Sequence, residues 1–291
     1  MTKTESVPRI EAQLQLQFHY SDAKQQTYLK VMHQTPPLRV VRAFSEKDGA
    51  ALVHLHNVSG GVLGGDVLHL SAAVGPQAQA QLTTTGATRI YKHRAGYPDA
   101  AQYTCFSVGA NGILEYLPDM LIPFAQSRYR QHTRIQLDRG AGLFWWEIVA
   151  PGREAHNEVF AYDLLETAVD IVVDQRPVAI ERLRIQPQQQ SPDSLVRLGP
   201  YQYFATFYIC RAGVVSEKAW LELEAKLAVL GQQLSTTGHD LWGVSTLAQD
   251  GLVIRALSKS GQGLQEKLIT FWQLARMQLY GQQITIPRKL R

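Results

Sequence analysis

Three similar turns recur along this chain: VGPQAQA at residues 74–80, VGANGIL at 108–114 and LDRGAGL at 137–143. In each, a strand-like run ends on an apolar residue, the chain turns over about three residues, and a new run starts through a small residue. The three turns begin 34 and 29 residues apart. A strand–turn–strand unit that returns at nearly constant spacing predicts stacked, coiling layers of sheet rather than a simple meander.

The sequence on both sides of these turns also has the pattern of strands. Leu14, Leu16, Phe18 and Tyr20 alternate with polar residues, which is the period of two expected for a half-buried strand. Similar runs occupy 28–33, 38–44, 51–58, 66–74, 78–84, 102–108, 112–117, 128–137, 142–149 and 159–173. Too few helical patterns separate them for β-α-β units, so residues 10–186 are predicted to be mostly β.

The last third of the chain, 187–291, changes character after a polar loop at 187–194. A strand is predicted at 201–210 and a strand pair at 240–257, together with two amphipathic helices near 216–236 and 260–282. The apolar faces of these helices must be buried on the sheet or on a partner. We therefore predict a mainly β fold, a coiling β-helix-like stack of sheets with two C-terminal α-helices, in a single domain over 1–291.

Composition limits the classes of partner. The 291 residues carry a formal charge of +4, and the only tight basic cluster is at 288–291, whereas nucleic-acid binders concentrate charge on one face or arm. No apolar run approaches the ~18 residues of a membrane span, and the first ten residues lack the apolar core of a signal peptide. Cys105 and Cys210 lie in apolar runs and are predicted to be buried, reduced thiols. We expect a cytoplasmic protein without nucleic-acid or membrane partners.

A glycine cluster, GGVLGGD at 60–66, has two interpretations. It matches neither G-x-G-x-x-G nor a P-loop, and it leads into a strand rather than a helix, so nucleotide binding is not expected. The first interpretation is a tight, close-packed turn that needs positive φ. The second is that Gly60, Gly61, Gly64 and Gly65 let a partner or an ion approach the backbone, with Asp66 as the polar group.

Two further patterns involve polar side chains on predicted strands. His54 and His56 are two residues apart and point to one face, so both imidazoles could hold a metal such as nickel, although a solvent-facing pair is the favoured interpretation. Thr83, Thr84 and Thr85 form a hydroxyl-rich run before Gly86. They indicate either an edge strand with a bend or the lining of a polar passage.

Glu115 and Glu147 are carboxylates in strongly apolar strands. Burying an unpaired carboxylate costs several kcal/mol, so each must meet an arginine, a backbone donor, water or a metal. An arginine partner is the commonest solution, and a water-filled polar interior is the functional one. Two carboxylates also occur in glycosidases, but the sequence contains no nucleophile elbow, no Cys-x-x-Cys and no His-Glu-x-x-His, so no positive evidence for an enzyme emerges.

Taken together, several motifs resemble a known family. GGVLGGD at 60–66, followed by a strand, a Gly-Pro turn and LTTTGATRIY at 82–91, is similar to the hallmark of the urease accessory proteins UreD/UreH. Other segments agree in order with this family, and the resemblance runs from about residue 10 to the C-terminus. These segments are PLRV at 37–40, LEYLP at 114–118, IPFA at 122–125, WEI at 146–148 and Gly152-Arg153.

The resemblance implies a non-catalytic maturation factor with a β-helix-like fold. Such a protein would bind apo-urease on one side and UreF on the other, with UreG joining through UreF, and would pass nickel through an internal polar channel. No cofactor would be tightly bound, and Ni²⁺ would be held only in transit by exchanging oxygen and nitrogen ligands. The channel candidates are Asp66, Thr83, Thr84, Thr85, Glu115, Glu147 and Glu158. The candidates for partner contacts are Gly60, Gly61, Gly64, Gly65, Arg89 and Tyr91. The alternatives are a carbohydrate-active β enzyme and an interaction scaffold unrelated to urease.

Overall fold

The computed structural model of the chain describes residues 10–194 and 196–282, so the basic cluster predicted at 288–291 lies outside the described residues. The strands of the first half are β1 (Glu11–Ser21), β2 (Gln26–Gln34), β3 (Leu38–Arg39), β4 (Ala43–Ser45), β5 (Ala51–Asn57), β6 (Val67–Val74), β7 (Gln79–Thr84), β8 (Thr88–Ile90), β9 (Ala100–Val108), β10 (Ile113–Tyr116), β11 (Leu121–Pro123), β12 (Arg128–Leu137) and β13 (Gly142–Val149). The later elements are β14 (Leu164–Val173), β15 (Arg176–Ile185), β16 (Tyr203–Arg211), α1 (Glu217–Leu234), β17 (Asp240–Thr246), β18 (Gly251–Ser258) and α2 (Leu264–Tyr280).

The strands form two large sheets that face each other. The first sheet has the order β15-β14-β12-β9-β6-β1-β2, and the second has the order β17-β18-β16-β13-β10-β7-β5-β3. The chain alternates between the sheets, and the central strands of each pair in parallel. Val67 pairs with Ala101, and Ala101 pairs with Arg130, so each coil returns at the spacing of the three turns. The predicted coiling stack is confirmed.

The three turns lie directly above one another. Val74 pairs with Val108, which pairs with Leu137, so the last apolar residue before each turn occupies the same level. The third residue after each of these has positive φ: 61° at Gln77, 56° at Asn111 and 80° at Gly140. Left-handed backbone is accessible to glycine and, among other residues, best to asparagine. A residue with left-handed backbone at the same position of each turn therefore reverses the chain in each layer.

The two C-terminal helices cover the outer face of the second sheet. Ser216 begins α1 as its N-cap, because its side chain accepts a hydrogen bond from the Ala219 N–H at 3.3 Å. Trp220 and Leu227 of α1, and Leu268 and Phe271 of α2, are buried in one cluster with the outward-facing apolar residues of the second sheet. The predicted helices are confirmed, and of the two predicted burial sites the sheet is the one used.

Three local predictions were wrong or incomplete. The run predicted at 159–173 is a strand only from Leu164, since Phe160 has a φ of 51° in the preceding turn. Strand β15 was not predicted as an element. Cys210 is buried, but Cys105 is exposed, because alternation on β9 turns Phe106 inward and Cys105 outward. Across the described residues, no helix is long and apolar enough to span a membrane.

Candidate functional site

The two hallmark motifs pack against each other. Val62 of the glycine cluster bridges to Ile90, with hydrogen bonds from the Val62 N–H to the Arg89 carbonyl at 2.8 Å and from the Tyr91 N–H to the Val62 carbonyl at 2.9 Å. Beside them lies a cavity of about 260 Å³. Its lining includes His56, Gly60, Thr84, Thr85, Arg89 and Gln102. Two motifs that are distant in the sequence therefore form one surface feature.

Close packing explains three of the four cluster glycines. A Cβ on Gly61 would lie 2.5 Å from Cε2 of Tyr91, and one on Gly64 would lie 2.9 Å from Nδ1 of His93. Gly65, with a φ of +93°, lies just as close to an aromatic ring, that of Tyr97. All three glycines are buried beneath side chains of their own chain.

The remaining predicted contact residues are more accessible. Gly60 and Arg89 are exposed, and Tyr91 is half-buried with its ring edge-on to Phe124. The Arg89 guanidinium lies 3.4 Å from the Gly60 carbonyl. A partner contact at the mouth of the cavity stays a prediction for Gly60, Arg89 and Tyr91.

Asp66 closes the glycine turn. Its side chain is buried, and Oδ2 accepts a hydrogen bond from the Leu63 N–H at 2.9 Å. Burial raises the pKa of Asp66 above its usual value, against the opposing effects of this hydrogen bond and of Arg94. The carboxylate is thus engaged in holding its own turn.

The three candidate threonines face different environments. Thr83 is buried on the helix side of the second sheet and donates to the Leu117 carbonyl at 2.8 Å. The Thr84 hydroxyl accepts from the Asp119 N–H at 2.9 Å and lines the cavity, as Thr85 does. Thr84 and Thr85 therefore fit the lining of a polar passage, and Thr83 does not.

The histidine pair does not form a larger metal-binding group. His54 packs against Phe44 with ring centroids 5.6 Å apart, and His56 lines the cavity. Over residues 10–194 and 196–282, no three His, Cys, Asp or Glu side chains come together in a way that could hold a metal ion.

Glu115 lies on the helix-facing side of the second sheet. It accepts hydrogen bonds from Gln81 Nε2 at 2.8 Å and from Trp272 Nε1 at 3.1 Å, and its Oε1 is 3.2 Å from Nη1 of Arg276. Burial raises the pKa of Glu115, and the positive charge of Arg276 opposes the shift. Here an arginine of α2 compensates the charge of the buried carboxylate, and Gln81 and Trp272 supply hydrogen bonds.

Glu158 is also paired with an arginine, outside the stack. It forms an ion pair with Arg153 and accepts the Ala125 N–H at 3.0 Å. The hydrogen bond from Arg153 holds the pKa of Glu158 below its usual value. Its position fixes a loop, so the geometry separates Glu115 and Glu158 from Glu147.

Glu147 belongs to a layer of polar side chains between the two sheets, here called the polar layer. Side chains alternate along a strand, so a residue two positions before or after an inward-facing apolar residue also points inward. The polar layer consists of Gln102, Thr104, Gln131, Thr133 and Thr167 on the first sheet and Tyr116, Glu147 and Thr206 on the second. Apolar clusters lie on both sides of it, one containing Phe106 and Ile135 and the other containing Ala100 and Tyr129.

Hydrogen bonds connect the polar layer from the cavity inward. Gln102 lines the cavity, and the Tyr129 hydroxyl lies 3.3 Å from Gln102 Oε1 and 3.1 Å from Gln131 Oε1. The Gln131 Nε2 donates to Glu147 Oε1. A continuous row of polar groups therefore runs from the cavity to Glu147.

The environment of Glu147 makes it a titratable group near neutrality. Burial raises its pKa from 4.5 to about 7, with the Gln131 hydrogen bond opposing the shift and the charge of Glu181 adding to it. Glu147 makes no ion pair with any residue of the described ranges. Among Glu115, Glu147 and Glu158, it is the one without an arginine partner.

The polar layer reaches the edge of the first sheet at β15. There Glu181 accepts hydrogen bonds from both terminal nitrogens of Arg255, at 2.9 and 3.1 Å, and from the Tyr208 hydroxyl. Thr206, which pairs with Glu147 across β13 and β16, is 3.5 Å from Glu181. The layer thus extends from the cavity on one side of the molecule to the Glu181–Arg255 pair on the other.

The spacing of polar residues before the turns indicates the polar layer, which the motifs alone do not. Gln102 and Gln131 each lie six residues before the apolar residue that ends their strand, and Thr104 and Thr133 each lie four before it. Once the turns are aligned, these residues must be neighbours on adjacent inward-facing rows. Glu181 and Arg255 carry no comparable local signal.

Comparison with known proteins supports one family. The family model described as UreD urease accessory protein matches residues 11–291. A protein of Herpetosiphon aurantiacus named urease accessory protein UreD is 45% identical over 92% of this chain and 92% of its own length. The UreD of Alcanivorax borkumensis is 31% identical over 94% of this chain and 89% of its own. A Helicobacter pylori protein named urease accessory protein UreH is 26% identical over 79% of this chain and 82% of its own. The chain therefore belongs to the UreD family of urease accessory proteins.

Proposed function

We propose that this chain is a non-catalytic factor in urease maturation that passes Ni²⁺ through the polar layer to apo-urease. It would link apo-urease to UreF, and through UreF to UreG, and the nickel ion would be its cargo rather than a resident cofactor. Family membership supports the role in urease maturation. The observation that carries the proposed transfer is the row of polar groups that crosses an otherwise apolar stack.

The chemistry of the polar layer suits an ion in transit. Its side chains offer amide, hydroxyl and carboxylate oxygens, which bind Ni²⁺ less tightly than a closed thiolate site would. Only a ligand set that binds weakly and exchanges lets an ion leave again. Glu147 supplies the negative charge, and with a pKa of about 7 it exchanges protons in the neutral range.

The cavity beside the hallmark motifs is a candidate entrance or exit. His56, Thr84 and Thr85 line it, and Gln102 continues it into the layer. Arg89 at its rim adds a positive charge, which favours an acidic partner surface there. Gly61 lines this mouth and Asp66 holds the adjoining turn, while Glu115, Glu158 and Thr83 support the fold around the layer.

The geometry argues against a glycosidase. A retaining or inverting enzyme needs two carboxyl groups on opposite sides of one sugar bond, about 5–9.5 Å apart. Glu115 pairs in register with Phe144, whose side chain faces the helices, whereas Glu147 shares the opposite face with Trp145. Two carboxylates on opposite faces of a sheet cannot act on one bond.

The test is urease activation with limiting nickel. Glu147→Gln keeps the size of the side chain and removes its charge, so we expect activation to fall on the order of tenfold, the scale on which residues around a metal usually act. Excess nickel should restore part of the activity. The matched control is Glu166→Gln, a carboxylate on the outer surface, which should activate normally.

Co-purification separates transfer from docking. We expect the Glu147→Gln protein to co-purify with apo-urease and UreF as the unmodified chain does. Full activation by Glu147→Gln at limiting nickel would exclude the polar layer as the route. Failure of the unmodified chain to co-purify with these proteins would overturn the linking role.

A further inference from the structure

Glu181 and Arg255 lie where the polar layer reaches the edge of the first sheet. The Glu181 carboxylate is engaged on both oxygens by the two terminal nitrogens of Arg255, and it also receives the Tyr208 hydroxyl. A carboxylate in this arrangement has few lone pairs left, and the guanidinium repels any approaching cation. This end of the layer is therefore covered.

Arg255 lies on the solvent side of Glu181. The side chain of Arg255 is 56% exposed, whereas that of Glu181 is 20% exposed. Water competes for the exposed guanidinium, so the free energy that holds Arg255 on Glu181 is smaller than that of the same bidentate pair in a buried site. Arg255 can therefore move away without disturbing the stack, and Glu181 cannot.

The second sheet provides a free surface beside Arg255. The first sheet ends at β15, but the second continues through β18 and β17. On the stack-facing side of these strands, Leu241 is 52% exposed, and Gly243, which pairs with Arg255, has open space where a Cβ would lie. We call the surface formed by Leu241, Gly243, Ser245, Arg255 and Leu257 the ledge.

We propose that Arg255 is a removable cover over Glu181, and that a partner protein docked on the ledge draws it away with a carboxylate, freeing Glu181 to receive a divalent cation. This inference rests on the proposed function of the polar layer. The partner is defined by its chemistry: an acidic side chain to accept the guanidinium and apolar side chains beside it to cover Leu241 and Leu257. Opening would then depend on docking, so an ion would not escape from the unbound chain.

Two further observations support the assignment. The charge of Glu181 raises the pKa of Glu147, so the two carboxylates lie within electrostatic reach of each other. Thr206 on β16 pairs in register with Glu147 on β13 and, on its other side, with Arg255 on β18. A cation released from Glu147 toward this edge meets Glu181 next.

The first test measures Ni²⁺ binding to the purified full chain by titration calorimetry. Arg255→Ala should bind Ni²⁺ about tenfold more tightly than the unmodified chain, within the usual range of such couplings. The double variant Arg255→Ala/Glu181→Gln should lose the gain. Arg134→Ala, an exposed arginine on the outer face of β12, is the control and should change nothing. If Arg255→Ala does not fold, Arg255→Gln takes its place.

An unchanged Ni²⁺ affinity in Arg255→Ala, or a gain in affinity that survives in the double variant, would overturn the proposal that Arg255 covers Glu181. Neither result would touch the proposed transfer, which is tested by activation of Glu147→Gln. The second part of the proposal, docking of a partner on the ledge, is tested by co-purification from cells that express urease and its accessory proteins. Arg255→Glu should lose at least one protein that Arg134→Glu retains, and identical co-purification of the two variants would overturn docking on the ledge.

Discussion

Glu115 and Glu147 lie on neighbouring strands, β10 and β13, but on opposite faces of the second sheet. Both are buried carboxylates in apolar strands, and the sequence describes them in almost the same terms. Glu115 contacts Arg276, Trp272 and Gln81 beneath α2, whereas Glu147 contacts Gln131 in the polar layer and has no arginine partner. The side of the sheet to which each side chain points therefore distinguishes Glu115, in a structural ion pair, from Glu147, in the proposed route for nickel.

The largest effect expected from this comparison comes from breaking the Glu115 side. Arg276 is 2% exposed, and its guanidinium also lies 3.0 Å from Gln79 Oε1 and 3.3 Å from Asp48 Oδ2. Removing one partner of a buried pair leaves the other charge unpaired, so Arg276→Ala should lower the free energy of unfolding by about 3–5 kcal/mol. Urea denaturation followed by circular dichroism measures it.

A compensating variant sharpens that result. Arg276→Met combined with Glu115→Gln removes both charges and keeps most of the volume, so it should recover much of the lost stability. A loss below about 1 kcal/mol in Arg276→Ala would mean that water reaches Glu115. The contrast between the two faces would then fail.

A smaller effect is expected from pH on the Glu147 side. With a folded-state pKa of about 7 against 4.5 when unfolded, the folded chain holds the proton more tightly. Stability from this group is therefore complete below pH 4.5 and is lost as pH rises through 7, at most about 3 kcal/mol at 1.36 kcal/mol per unit.

Glu147→Gln removes that titration. We expect this variant to be more stable than the unmodified chain at pH 8 and to show a flatter stability profile between pH 5 and 7. Thermal or urea unfolding at a series of pH values measures both. A profile that keeps its slope in the variant would assign the titration to another group.

The smallest effect concerns hydroxyls of the polar layer. Thr104→Val with Thr133→Val should change the free energy of unfolding by less than about 1 kcal/mol, since neither hydroxyl carries a strong buried hydrogen bond. Activation of urease at limiting nickel should nonetheless fall, because two oxygen ligands are gone. The control Thr27→Val breaks the 2.9 Å hydrogen bond from the Gln79 N–H outside the layer and should cost stability instead. Normal activation by the double threonine variant would restrict the route to Glu147 and the glutamines.

Much of the fold could be predicted because its signals are local. The turns at 74–80, 108–114 and 137–143 recur in the sequence, and each reverses the chain through its own left-handed residue. Alternation along each strand then separates inward from outward residues. Strand β15 escaped prediction because its exposed positions, Ile180 and Arg182 among them, mix apolar and charged residues at the edge of a sheet.

The candidate site could be predicted only in part. The family resemblance groups Glu147, Thr84 and Thr85 with Glu115, Glu158 and Thr83, and the structure places the last three in other environments. The resolving partners are remote in sequence: Arg276 comes from α2, and Arg255 comes from β18. No local pattern states which arginine will reach which carboxylate.

The layered coil, the two amphipathic helices and membership in the UreD family follow from the sequence alone, since each depends on periodicity or on the order of motifs along the chain. Which polar side chains share an environment follows from the packing of the sheets and helices. That outcome depends on which faces of the sheets are covered, because the energy of a buried charge is set by the groups that surround it in space.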